Sequence, residues 1–209
     1  MKKNVEIGCG NIVLEGNLTI PQDARGMVIF AHGSGSSRFS PRNVFVAEIL
    51  NRASIATLLL DLLTPQEAML EENRFDIGLL ASRLDCSAQW LKGQEEAKGM
   101  KFGYFGASTG AAAAIRAASA SDSVSAVVSR GGRPDRAGDD ALQHLKCPTL
   151  LIVGGRDDIV LELNRKAFSK MHCSREMKIV PGATHLFEEE GALDAVAIES
   201  AHWFSRHLS

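Results

Sequence analysis

Short apolar runs, each followed by a glycine-bearing turn and a longer amphipathic stretch, repeat along the chain from Met27 to its last helix-length segment. This alternation is typical of βαβ units, in which parallel strands are covered by helices on both faces of a sheet. The strand-length runs are Met27–Ala31, Ala56–Leu60, Lys101–Phe105, Val124–Ser129, Thr149–Val153 and Met177–Val180. The pattern therefore predicts an α/β fold with right-handed crossovers.

Two alternating segments, Asn4–Gly8 and Ile12–Ile20, precede these runs and predict an antiparallel hairpin turning at Gly10-Asn11. Helices are expected at Asn43–Arg52, Arg74–Leu91, Thr109–Ala120, Ala141–Leu145, Leu161–Met171 and Gly191–His207. No linker rich in proline, serine or charge divides the chain. We expect a single domain over residues 1–209, with about eight strands in one mostly parallel sheet.

The charge balance argues against a nucleic-acid partner. The 209 residues carry 23 Lys+Arg and 25 Asp+Glu, and only 6% are aromatic, so neither a basic field nor a stacking surface is expected. A small-molecule partner fits better, and the sequence leaves a homodimer open. No apolar run of about 18 residues suggests a membrane span, and polar residues interrupt the N-terminal segment. We expect a cytoplasmic protein.

The four cysteines, Cys9, Cys86, Cys147 and Cys173, are scattered along the chain. They form no C-x-x-C pair and have no matching histidine spacing, which argues against a zinc site and against a disulfide framework. We expect reduced, mostly buried thiols.

The segment Gly106-Ala107-Ser108-Thr109-Gly110 lies between a predicted strand and an alanine-rich predicted helix. This G-x-S-x-G pattern suits a sharp, strained turn that exposes a serine hydroxyl at a helix N-terminus, where larger flanking residues would clash. A serine at a helix start is also a common N-cap. The position between strand and helix favours Ser108 as a nucleophile.

A serine nucleophile needs a base, and the base needs an orienting acid. Among the six histidines, His185 lies in the loop between the last predicted strand and the last helix. Between Ser108 and His185, Gly154-Gly155-Arg156-Asp157-Asp158 follows another strand. We favour Asp157 as the acid, with Asp158 as a cap on the next helix and Asp135 as a weaker alternative.

Backbone donors for an oxyanion are expected in the glycine- and serine-rich loop His32–Ser37, which follows the run Met27–Ala31. Its main-chain N–H groups can approach a substrate because little side-chain bulk intervenes. The candidate donors are the amides of Ser34 and Thr109. His32 is expected to hold the shape of this loop by hydrogen bonds.

Taken together, these segments resemble the α/β-hydrolases, and within them the dienelactone-hydrolase-related family, over essentially the whole chain. The segments that carry the resemblance are His32–Arg38, Leu58–Thr64, Gly106–Gly110, Gly154–Asp157 and Gly182–His185. By this similarity Ser108, Asp157 and His185 match the catalytic triad, and Ser34 and Thr109 match the oxyanion-hole positions. The dienelactone hydrolases that give the family its name carry cysteine at the nucleophile position, so their lactone substrate is not carried over.

The resemblance implies hydrolysis of a carboxylic ester or thioester through an acyl-enzyme, with no cofactor and no metal. Three alternatives stay open. Gly33–Arg38, with Asp61 after the next strand, resembles the start of a dinucleotide fingerprint. His32, His185 and Asp157 could form a metal site, although no helical His-x-x-x-His spacing supports it. A binding protein on a silent hydrolase fold is the third alternative.

Only about ten residues separate the run Val124–Ser129 from the helix near Ala141, so no cap domain is expected there and the cleft should be open. Arginines cluster at this end of the predicted sheet. They are Arg38, Arg42, Arg130, Arg133 and Arg136. Pairing with nearby aspartates is the simplest explanation. The sharper hypothesis is that Arg38 or Arg130 binds a carboxylate or phosphate of the substrate.

Overall fold

Eight strands form one sheet with α-helices on both of its faces, in a computed structural model that describes all 209 residues. The strands are β1 (Lys2–Cys9), β2 (Ile12–Thr19), β3 (Gly26–Ala31), β4 (Ile55–Leu60), β5 (Lys101–Ala107), β6 (Val124–Arg130), β7 (Thr149–Gly154) and β8 (Arg175–Val180). The helices are α1 (Pro41–Arg52), α2 (Glu71–Phe75), α3 (Ile77–Lys92), α4 (Thr109–Ser119), α5 (Asp139–His144), α6 (Asp158–Lys170) and α7 (Ala192–His207).

The strand order is β1-β2-β4-β3-β5-β6-β7-β8. The hairpin of β1 and β2 joins the sheet antiparallel to β4, and every pairing from β4 through to β8 is parallel. The predicted hairpin and mostly parallel sheet are confirmed. Because β3, β5, β6 and β7 run in the same direction, the loops that follow them meet at one edge of the sheet.

Two apolar cores lie on the two faces of the sheet. Side chains of α3 and α4 pack on one face, against residues such as Tyr104 and Val127. Side chains of α1 and α7 pack on the other face, against residues such as Phe105 and Val128. Alternate residues of the central strands therefore belong to different cores, which explains why these strands are continuous apolar runs.

The pairing of β5 with β6 contains one irregularity. Phe102 pairs with Val124, but Gly103 pairs with Ala126, so Ser125 is an extra residue in β6. This is the two-against-one arrangement of a β-bulge. Beyond it the register is regular up to the pair Ala107 and Arg130.

The helix predicted at Arg74–Leu91 is divided in the structure. Asp76 adopts an extended conformation, and its side chain accepts a hydrogen bond of 2.9 Å from the amide of Leu79, so that it caps the start of α3. The preceding α2 is short and contains no buried residue. The connection from β6 to α5 holds only a short 3-10 turn, Pro134–Ala137, and no inserted cap domain. None of the helices combines the length and apolar character needed to cross a lipid bilayer.

The cysteine expectation is wrong for one pair. Cys9, at the end of β1, is joined by a disulfide to Cys86 in α3, across a sequence separation of 77 residues. The hairpin packs on α3, which brings together two residues that are far apart in sequence. Cys147 and Cys173 are buried free thiols, as expected, and burial raises the pKa of Cys147 to about 12.

The disulfide predicts a redox-dependent stability. Reduction, or the double substitution of Cys9→Ser and Cys86→Ser, should lower the free energy of unfolding by about 2–4 kcal/mol, because a long loop is released in the unfolded chain. Urea unfolding with and without dithiothreitol measures the difference. The double variant is the control, since reductant should leave its transition unchanged. Four alkylatable thiols in the unfolded, unreduced protein would contradict the prediction.

Candidate active site

Ser108 lies in a strained turn between β5 and α4. Its backbone has φ 52° and ψ −119°, a conformation that a residue with a side chain adopts only at a cost. The turn is held by its own backbone groups: the Ser108 amide donates to the carbonyl of Arg130 (3.2 Å), and the Ser108 carbonyl accepts from the amide of Arg133 (3.1 Å).

The glycines of the G-x-S-x-G pattern allow this turn to pack closely. A Cβ atom on Gly106 would lie 2.4 Å from the Cα of Ala111, and one on Gly110 would lie 2.3 Å from the carbonyl oxygen of Ala31. Both contacts are with backbone atoms, which cannot move aside easily. Glycine is therefore required at both positions for the strand and the helix to approach each other.

His185 and Asp157 are brought together by the loops that follow β8 and β7. Their side chains form a hydrogen bond of 2.6 Å between Nδ1 of His185 and Oδ2 of Asp157. Asp157 is the N-cap residue of α6, but its carboxylate points to the imidazole and caps no amide. Asp158 is exposed in the first turn of α6 and is not the cap that the sequence suggested, while Asp135 pairs with Arg133.

The loop that carries His185 is held by Glu189. The carboxylate of Glu189 accepts hydrogen bonds from the hydroxyl (2.7 Å) and the amide (3.1 Å) of Thr184. The hydrogen bond from the Thr184 hydroxyl is the largest factor that lowers the pKa of Glu189. The sequence analysis missed Glu189, because the three-dimensional path of the loop determines which groups its carboxylate contacts.

Ser108 and His185 line one cavity of about 220 Å³. Its wall is completed by the loop after β3, the start of α1 and the side chain of Arg130. No hydrogen bond joins the Ser108 hydroxyl to His185. The candidate acid Asp157 and the candidate base His185 are therefore paired, whereas the candidate nucleophile Ser108 lies in the same cavity as His185 without a bond to it. The catalytic roles of Ser108, His185 and Asp157 stay predictions.

The loop after β3 approaches Ser108 closely, since a Cβ on Gly33 would lie 3.2 Å from the Cβ of Ser108. The amide of Ser34, expected to face an oxyanion, donates a hydrogen bond of 2.8 Å to the hydroxyl of Thr109. This bond ties the loop to the start of α4. An oxyanion that binds the Ser34 amide has to share it with Thr109 or displace it.

His32 stabilises the same loop by hydrogen bonds, as expected. Nδ1 of its imidazole lies 2.9 Å from the carbonyl oxygen of Gly33, and Nε2 accepts a hydrogen bond of 3.1 Å from the amide of Leu62. These partners fit the neutral ring with its proton on Nδ1. Burial is the main cause that lowers the pKa of His32, against smaller raising effects of Gly33 and Asp61.

The two arginines proposed as substrate ligands have different surroundings. Arg38 is paired with Asp61 and Glu15 and lines a second cavity of about 410 Å³, which shares only residues of the loop after β3 with the cavity of Ser108. Ser108 is not in the wall of that larger cavity. Arg130 is buried, lines the cavity of Ser108 and has no ion-pair partner. The structure therefore leaves Arg130 as the stronger candidate.

The geometry gives little support to the alternative dinucleotide site or to the alternative metal site. Asp61, the candidate ribose ligand, accepts hydrogen bonds from the backbone and the guanidinium of Arg38. The loop after β3 also runs through several turn residues before α1 begins at Pro41, so no helix N-terminus directly follows the glycines. No group of three His, Cys, Asp or Glu side chains is placed to share a metal ion.

An eight-stranded sheet of this topology, with a strained serine between a central strand and a helix, defines an α/β-hydrolase. The chain belongs to the dienelactone hydrolase family, whose model matches residues 43–207. The crystal structure of a dienelactone hydrolase from Anabaena variabilis is 51% identical, covers 100% of this chain and 99% of its own, and superimposes with a TM-score of 0.96.

Est1E from Butyrivibrio proteoclasticus shares the fold, with a TM-score of 0.82 at 16% identity over 97% of this chain and 98% of its own. Curated relatives from two strains of Mycobacterium tuberculosis, provisionally named phosphoribosyl transferases, are 54% identical over 99% of this chain. The chain spans about half (46%) of their length, so that name describes much longer proteins.

His32 predicts a pH dependence of stability. Its pKa is lowered in the folded chain, so the unfolded chain binds the proton more readily and stability falls as the pH drops below about 6.5. His32→Gln should reduce this pH dependence. Urea unfolding between pH 5 and pH 8 measures it, with the exposed His172→Gln as the matched control. An unchanged slope in His32→Gln would show that His32 is not the group responsible.

Proposed function

We propose that this chain is a serine hydrolase that cleaves a carboxylic ester or thioester of a small molecule through an acyl-enzyme. The observation that carries the proposal is the hydrogen bond from His185 to Asp157, because His185 lines the same cavity as the strained Ser108. Membership of a hydrolase family supports the same reaction class. The open connection between β6 and α5 suits a substrate that enters without a cap domain.

In the proposed first step, Nε2 of His185 accepts the proton of the Ser108 hydroxyl while its oxygen attacks the carbonyl carbon of the ester. Asp157 accepts the Nδ1–H bond, which fixes the tautomer that leaves Nε2 free and stabilises the imidazolium without taking its proton. The strained turn exposes the Ser108 hydroxyl at the N-terminus of α4, where developing negative charge is favoured.

Oxyanion stabilisation is assigned to the backbone amides of Ser34 and Thr109. Both lie beside Ser108, and the Ser34–Thr109 hydrogen bond fixes the spacing of the two segments. His185 then gives its proton to the leaving alcohol or thiol, activates a water molecule against the acyl-enzyme, and returns the proton to Ser108. The proposed reaction needs no metal or cofactor.

A fluorophosphonate probe tests the proposal directly. Wild-type protein should be labelled at Ser108, and Ser108→Ala should abolish labelling because the attacking oxygen is absent. His185→Ala should slow labelling by about 10³-fold or more, as expected when a triad loses its base. Mass spectrometry of the labelled peptide identifies the site, and Ser169→Ala, an exposed serine in α6, is the matched control. Labelling that persists in Ser108→Ala would overturn the assignment.

The two adjacent aspartates give a second test. Asp157→Asn should lower kcat for 4-nitrophenyl acetate by about 10³- to 10⁴-fold, because the amide favours the wrong imidazole tautomer. Asp158→Asn changes the same charge at an exposed neighbour and should leave kcat within about twofold. Equal losses in the two variants would contradict the assignment of Asp157. A wild-type protein that hydrolyses no ester and takes no probe would favour the silent, binding alternative.

A further inference from the structure

Arg130 is a charged side chain without a charged partner. It lies at the end of β6 and is 6% exposed. Its single hydrogen bond, from Nη2 to Oδ1 of Asn43, is long at 3.4 Å, and Nε has no partner. The guanidinium also lies 5.9 Å from the centre of the Phe187 ring. A buried charge is normally paired, since its desolvation is otherwise uncompensated.

The surroundings of Arg130 add further positive charge instead of compensating it. Arg42 lies close enough to lower the pKa of Arg130, which burial and that like charge together bring to about 10. Arg42 itself reaches only the exposed carboxylate of Glu188, at 3.3 Å. Two guanidinium groups thus face one region with little compensating negative charge inside it.

The region they face is the cavity of Ser108 and His185. The helix dipole gives the start of α1 positive potential, and its first turn contains no acidic residue that would offset it. Ser36 lines the same wall, as does Ser40, whose hydroxyl caps α1 by accepting a hydrogen bond from the amide of Asn43. A cavity lined by arginine, hydroxyl groups and a helix start has the chemistry that binds carboxylate or phosphate.

The other arginines at this end of the sheet lack these properties. Arg133 makes two hydrogen bonds, of 2.9 and 2.8 Å, to the carboxylate of Asp135. Arg38 is paired with two carboxylates, and Arg136 is exposed beside the ring of Phe75. Only Arg130 is at once buried, without an ion-pair partner and in the wall that contains the nucleophile.

We infer that Arg130, supported by Arg42, forms an anion subsite beside Ser108, so that the preferred substrates are esters carrying a second, negatively charged group. That group is a carboxylate or a phosphate. The inference rests on the proposed function for its catalytic part, since Ser108 has to attack the ester. The subsite itself is defined by Arg130 and the cavity and can be tested without catalysis.

The catalytic test compares two esters of similar length, mono-4-nitrophenyl succinate and 4-nitrophenyl butyrate. Wild-type protein should prefer the succinate by kcat/KM. Arg130→Gln should reduce that preference by about 10- to 100-fold, the range expected for a lost charge-assisted bidentate contact. Arg130→Lys should restore part of it. Arg136→Gln removes the same charge from an exposed site in the connection that follows β6 and should leave the preference unchanged.

The binding test uses isothermal titration of Ser108→Ala with glutarate and with inorganic phosphate. We expect one of the two anions to bind, and its affinity to fall about tenfold or more in the double variant with Arg130→Gln. The stronger of the two anions identifies the charged group. If Arg130→Gln does not fold, Arg130→Lys and Arg42→Gln take its place, each with an expected loss of affinity.

The two proposals can fail separately. Equal kcat/KM for the two esters, or equal losses of both in Arg130→Gln, would overturn the anion subsite and leave the esterase intact. Anion binding that depends on Arg130, in a protein that hydrolyses neither ester, would retain the subsite and overturn the esterase. Binding that is absent, or that is unchanged in Arg130→Gln, would overturn the subsite.

Discussion

The close approach of Gly110 to the carbonyl oxygen of Ala31 is the contact on which the site depends. It holds the start of α4 against the end of β3, with no space for a side chain between them. The same approach places the loop after β3 beside Ser108 and allows Thr109 to bond the amide of Ser34. The nucleophile and the expected oxyanion donors are thus positioned by one backbone contact, and the strain at Ser108 is sustained by the surrounding packing.

Much of this arrangement follows from local sequence. The strands of the central sheet are continuous apolar runs, and the loops after them carry the candidate residues, because parallel strands bring their carboxyl ends to one edge. Asp157 could be ranked above Asp158 only by resemblance. The structure distinguishes them physically, since Asp157 contacts His185 and Asp158 is exposed on α6.

The features that sequence did not predict are set by tertiary partners. Cys9 and Cys86 are paired because the hairpin packs on α3, a contact that no local pattern records. The break at Asp76, which separates α2 from α3, lies inside the single helix predicted at Arg74–Leu91. The arginine cluster was visible in the sequence, but which arginine lacks a carboxylate depends on the direction of each side chain.

For Arg130, the bulge at Ser125 determines the direction in which the side chain points. Val124 faces the core of α3 and α4, whereas Ala126 and Val128 face the core of α1 and α7, so the extra residue inverts the in-and-out alternation of β6. Without the inversion, the side chain of residue 130 would point toward the opposite layer, away from Asn43 of α1. A one-residue irregularity at the entry of β6 thus determines which side of the sheet receives a positive charge at its exit.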